Sequence, residues 1–73
     1  MKQIYKFSAS WCQPCKTLTQ RLAQKGITLP EYDIDNPSNK TLMEKFNIRS
    51  VPTVVVDDDG LIRHFVGPTL TPE

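Results

Sequence analysis

The segment Trp11-Cys12-Gln13-Pro14-Cys15-Lys16 constrains this chain more than any other, because it sets the only two cysteines three positions apart where a strand-like run gives way to a helical one. Two thiols at that spacing in the first turn of a helix can close into a small disulfide ring and reopen without unfolding the chain. A helix start also offers unpaired N–H groups and a partial positive charge, which favour the thiolate of the first cysteine over the thiol. The thiolate is the nucleophile, so the segment reads as a redox centre.

The flanking residues supply the strand and the helix that such a centre needs. Lys2 to Ser8 carry Ile4, Tyr5 and Phe7 without glycine or proline, a short β-favouring run, and Ser8 to Ser10 break it. From Gln13 to Lys25, Cys15, Leu18 and Leu22 fall at i, i+3 and i+7 on one helix face. Pro14 lies in the first turn, where a missing N–H costs nothing, and Gly26 is a natural stop. Ile27 to Asp35, with Leu29, Tyr32 and Ile34, reads as a second strand entered at Pro30. Strand, helix and strand in succession imply a right-handed crossover and a parallel pair, with the cysteines at the carboxyl edge of the sheet.

Asn36-Pro37-Ser38 opens a short second helix that runs to Phe46, with Asn47 as a left-handed stop and Ile48 folding back on Met43. Thr53 to Val56 is a β-branched run suited to a buried strand. Asp57 to Gly60 is a turn, and Leu61 to Val66 is the return strand of a hairpin. Thr71-Pro72-Glu73 looks like the opening of a helix for which no further residues follow.

With 73 residues and a formal net charge of +1, the chain is expected to be one domain, residues 1–73, without the basic cluster that tracks a phosphate backbone. Neither a secretory leader nor a membrane span is expected, so a cytoplasmic location is. In a reducing compartment a single cysteine pair reads as catalytic or metal-binding sooner than as a staple. Two buried small hydrophobes, or half of a zinc site, stand as rival readings; beyond the pair only His64 and acidic residues are available as ligands. No metal and no cofactor are expected. His64 is expected to face solvent from its strand. Asp57 to Asp59 read as a solvated turn, and Trp11 as part of a contact surface.

The order β-α-β-α-β-β, with a cysteine pair opening the first helix, resembles the thioredoxin superfamily core, an α/β fold with a four-stranded mixed sheet. Trp11-Cys12-Gln13-Pro14-Cys15-Lys16 is similar to the thioredoxin active-site signature, with Gln13 where glycine is usual. Val51-Pro52-Thr53 resembles the family's cis-proline loop, and Gly67 the glycine after its last strand. The resemblance implies dithiol-disulfide exchange with protein disulfides. Cys12 would be the nucleophile at an exposed helix tip, and Cys15 the resolving thiol facing the core. Trp11, Gln13, Pro14, Val51, Pro52 and Gly67 would form the substrate surface, with a cis Val51-Pro52 bond.

Two departures from the family accompany the resemblance. The family's buried aspartate falls here at Lys6, and its lysine partner falls at Glu31, so the pair is either present with its charges exchanged or Lys6 simply snorkels from a half-covered sheet face. The C-terminal helix, which in the family lies beside the active-site helix, has no counterpart, so that face is expected to be partly bare or covered by the tail or a partner. A thioredoxin-reductase-type flavoprotein is the implied reductant. Glutathione is the alternative, as in a glutaredoxin, and a binding module that makes little use of its thiols is a reading from another class.

Overall fold

The computed structural model describes residues 2–72. Strand β1 (Lys2–Ser8) runs into helix α1 (Gln13–Gln24), followed by β2 (Glu31–Asp33), a 3-10 turn over Pro37–Asn39, helix α2 (Lys40–Lys45), and strands β3 (Thr53–Asp58), β4 (Leu61–Val66) and β5 (Thr71–Pro72). The sheet order is β2-β1-β3-β4-β5. Only β1 and β2 pair in parallel; the remaining pairs are antiparallel, so the sheet is mixed as expected.

Alternation along β1 sorts the core into two layers. Phe7, with Tyr5 beside it, joins Phe46 and Val55 in one cluster together with Tyr32, Leu42 and Met43, so α2 covers this face. Tyr5 and Phe46 have ring centroids 4.9 Å apart, and Phe7 and Tyr32 5.7 Å. On the opposite face Leu18 and Leu22 of α1 pack on Val54, with Ile4, Leu29, Phe65 and Leu70 around them. The β-branched run of β3 is central, with Thr53, Val54 and Val55 all buried.

Both helices end in the same way. Gly26, at φ +73°, lets its N–H reach the Ala23 carbonyl while Ile27 N–H reaches that of Leu22. Asn47, at φ +54°, directs its N–H to Glu44 while Ile48 N–H bonds Met43. These paired bonds satisfy carbonyls that a helix end leaves open. The first cap shortens β2: Ile27 is held by the helix, and ladder pairing starts only at Glu31, after Lys6 N–H has bonded the Pro30 carbonyl. The expected strand over residues 27–35 is thus three residues long. The expected second helix is split, because Asn36 Oδ1 accepts from Ser38 N–H and winds a 3-10 turn ahead of α2.

The chain end differs from expectation. Thr71 and Pro72 do not open a helix; they pair with Val66 and Phe65 as a two-residue edge strand beside the four expected strands, while Glu73 lies outside the described residues. Leu70 packs into the Leu18–Leu22–Val54 cluster, so the tail covers part of the face that α1 leaves open. His64 is also not the solvent-facing residue expected. It is half-buried, and its Nε2 donates to the Phe46 carbonyl at 2.7 Å, tying β4 to the end of α2.

Candidate active site

Strand β1 delivers the chain to a turn in which Cys12 N–H bonds the Ala9 carbonyl, and this aims Cys12 at the start of α1. Cys12 is the N-cap: its backbone is extended (φ −92°, ψ 108°), and its Sγ accepts a hydrogen bond from Cys15 N–H at 3.1 Å. Sulfur therefore fills the capping place usually taken by a serine or aspartate oxygen. An N–H of the first turn directed at that sulfur favours negative charge on it. Pro14 occupies the first turn at no cost in hydrogen bonds.

Cys12 and Cys15 are joined as a disulfide. Both are buried, at 4% and 3% exposure, in a cluster with Ala9, Ile34 and Val51. Cys12 is thus not the exposed helix tip expected from sequence. Ala9, Ile34 and Val51 pack on the oxidised pair, while Gln13 and Pro14 next to it are exposed. Among the described residues no group of three or more His, Cys, Asp or Glu side chains is placed to hold a metal ion.

The loop before β3 comes against the pair, as expected. The Val51-Pro52 bond is cis, Pro52 is fully buried, and half-buried Val51 packs on the cysteine cluster. Thr53 Oγ1 donates to the Ser50 carbonyl at 2.7 Å, and Gly67 N–H donates to that of Pro52 at 2.9 Å. Pro52 and Gly67, far apart in sequence, are therefore neighbours. Trp11 is 66% exposed, yet its indole Nε1–H is held at 2.8 Å by Asp35 Oδ2. A groove of about 310 Å³ runs beside it, lined by Trp11, Ile34, Met43, Ile48 and Val51, with Arg49 among its polar residues.

On the other side of α1 lies the charge pair. Lys6 faces Glu31 in the β1–β2 register, and Lys6 Nζ is 3.4 Å from Glu31 Oε1. Lys6 does not snorkel. The residue is 4% exposed, and its ammonium also donates to Thr19 Oγ1 at 2.9 Å, which in turn donates to the Cys15 carbonyl at 3.1 Å. Ser8 Oγ donates to the same Glu31 oxygen at 2.9 Å. A cavity of about 580 Å³ opens here, lined by Cys15, Thr19, Ser8 and Glu31.

Sequence reasoning missed Asp35, Thr19 and Ser8. Thr19 did carry a signal, since a threonine four residues after Cys15 in a helix can bond back to that carbonyl. Asp35 carried none, because its role depends on how the loop after β2 folds toward Trp11.

The family model described as thioredoxin matches residues 2–71. The chain belongs to the thioredoxin family. The thioredoxin of Mycolicibacterium smegmatis is 34% identical over 71 residues, an alignment that covers 88% of this chain and 63% of that protein. The thioredoxin of Chlamydia trachomatis is 37% identical over 60 residues, covering 78% of this chain and 59% of that protein. This chain therefore spans about 60% of the length of these relatives. Among solved structures, the thioredoxin of Malassezia sympodialis superposes with a TM-score of 0.74 at 25% identity, covering 92% of this chain and 65% of that one. That of Trypanosoma brucei brucei gives 0.72 at 26% identity, covering 94% and 65%.

Proposed function

We propose that this thioredoxin-family chain is a thiol-disulfide oxidoreductase that reduces protein disulfides through Cys12 and Cys15. The observation that carries the reading is the bonded pair at the start of α1, with Cys12 Sγ capping the helix and accepting the Cys15 N–H. In the reduced protein the same N–H stabilises a Cys12 thiolate. The thiolate attacks one sulfur of a substrate disulfide, forms a mixed disulfide, and releases the other half as a thiolate that takes a proton from water. Cys15, deprotonated, then attacks Cys12 Sγ. The second substrate thiolate leaves, the internal disulfide closes, and two electrons have passed to the substrate.

Substrate lies across Trp11, Gln13, Pro14, Val51 and Gly67, with the buried Pro52 shaping the loop beneath. The groove between Trp11 and Val51 takes an apolar side chain next to the reacting cysteine. The Asp35 hydrogen bond fixes the indole, so little of its freedom remains to be lost on binding. Recycling of the oxidised pair is assigned to a thioredoxin-reductase-type flavoprotein; rapid reduction by glutathione alone would reassign it. A cytoplasmic location fits a pair that must be kept reduced. Among the described residues no helix is long and apolar enough to cross a membrane.

The test is insulin reduction by wild type, Cys12→Ser and Cys15→Ser. Turnover in wild type that is lost in both variants supports the reading. Equal, negligible turnover in all three contradicts it and favours a binding module.

A further inference from the structure

The most unusual group in the core is a cation. Lys6 sits in the middle of β1 at 4% exposure, two hydrogen bonds from the backbone of Cys15 through Thr19. Its carboxylate partner is placed very differently, because the Glu31 side chain is 53% exposed. Water screens an exposed charge far more than a buried one, so the pair does not cancel. The field that reaches the cysteines from this side is the lysine's.

We infer that the buried ammonium of Lys6 stabilises the thiolate form of the cysteine pair, and with it the reduced state, while Glu31 opposes it weakly. The inference rests on the redox reading of the pair. The cysteine pair's other charged neighbours are Lys16 on α1, Glu31 and Asp33 on β2, Asp35 beside Trp11 and Arg49 in the groove, all exposed, whereas β3 brings only Thr53 and Val54 to this end of the sheet. Lys6 is therefore the one buried fixed charge among the described residues around the thiols. It touches no substrate, so it acts as a positioning residue for charge and not as a catalytic one.

The sign of the effect follows from the redox equilibrium. The oxidised pair carries no charge, and reduction by two glutathiones gives two thiols and one glutathione disulfide. When a thiol then releases its proton to water, the thiolate gains from a nearby cation. Lys6 thus pulls the equilibrium toward the dithiol and makes the pair more oxidising. The gain exists only where thiolate is populated. It vanishes at low pH, where the reduced pair carries two neutral thiols, and grows as pH rises through the thiol titration.

The test equilibrates wild type, Lys6→Met, Lys6→Arg and Glu31→Gln with glutathione buffers over a range of pH. A neighbouring opposite charge typically moves an ionisation by about one pKa unit, on the order of tenfold. Above the thiol titration the Lys6→Met constant for reduction accordingly falls about tenfold, or ~30 mV for a two-electron couple. Lys6→Arg stays near wild type. Glu31→Gln, an isosteric change at a half-exposed position that leaves the fold intact, moves the constant the other way by a smaller factor. All four converge at low pH. Shifts of the same sign in Lys6→Met and Glu31→Gln, or a shift that persists unchanged at low pH, reduce Lys6 to packing and overturn the inference. So do equal constants in all four. A wild-type pair that does not equilibrate with glutathione at all instead overturns the exchange reading on which the inference rests.

Discussion

The two faces of the sheet are built from neighbouring residues of the same strand but to different ends. Tyr5 and Phe7 of β1 point into an aromatic layer with Tyr32 and Phe46, where ring packing under α2 fills the space. Lys6 and Ser8, one position along, point to the α1 face and make the polar chain of Glu31, Thr19 and the Cys15 carbonyl. The first layer is what a small domain needs to fold. The second spends core volume on charges that a hydrophobic pair of similar shape would replace with little loss of stability. Along β1 the α2 face thus packs rings, while the α1 face, beyond its Leu18–Leu22–Val54 cluster, holds a buried charge near the thiols, where the proposed chemistry takes place.

This division is exposed to mutation. Phe7→Ala removes a fully buried ring from the aromatic layer and is expected to cost about 3–5 kcal/mol of unfolding free energy in urea titration. A cost near that of an exposed substitution would show that the layer is not the stabilising face. His64→Ala deletes the bond that ties β4 to the end of α2 and leaves the Phe46 carbonyl to find another donor; the expected loss is about 1 kcal/mol by the same titration. Lys6→Met has the smallest expected effect on stability. Its aliphatic stem is retained and half-exposed Glu31 turns to water, so the unfolding free energy should stay within about 1 kcal/mol of wild type. A loss as large as that of Phe7→Ala would abolish the distinction between the faces.

How far the sequence revealed this arrangement differs between the two faces. The order of elements as far as β4, the positive-φ stops at Gly26 and Asn47 and the β3–β4 hairpin were legible, because each is written in local periodicity or in a residue suited to one backbone conformation; the turn, expected over Asp57 to Gly60, is shorter, since Asp57 and Asp58 pair with Ile62 and Leu61. The pairing of Lys6 with Glu31 was legible as one of two possibilities, since it depends on strand register, and the structure places them opposite one another. The burial of Cys12 was not, because Ala9 and Val51 reach it from separate loops. His64 was misread because a strand residue's alternation gives its face but not what covers that face; here it is the end of α2. The two-residue β5 was hidden behind a proline that suits a helix start equally well.

In the proposed exchange Cys12 attacks and Cys15 resolves, and capture of the mixed disulfide tests this order most directly. Cys15→Ser keeps the N-cap sulfur and removes the thiol that breaks the mixed disulfide. Incubated with a disulfide-bonded protein substrate and run on a non-reducing gel, reduced Cys15→Ser should accumulate a covalent complex joined through Cys12, and Cys12→Ser should accumulate none. Equal capture by the two variants, or capture by Cys12→Ser alone, would contradict the assignment.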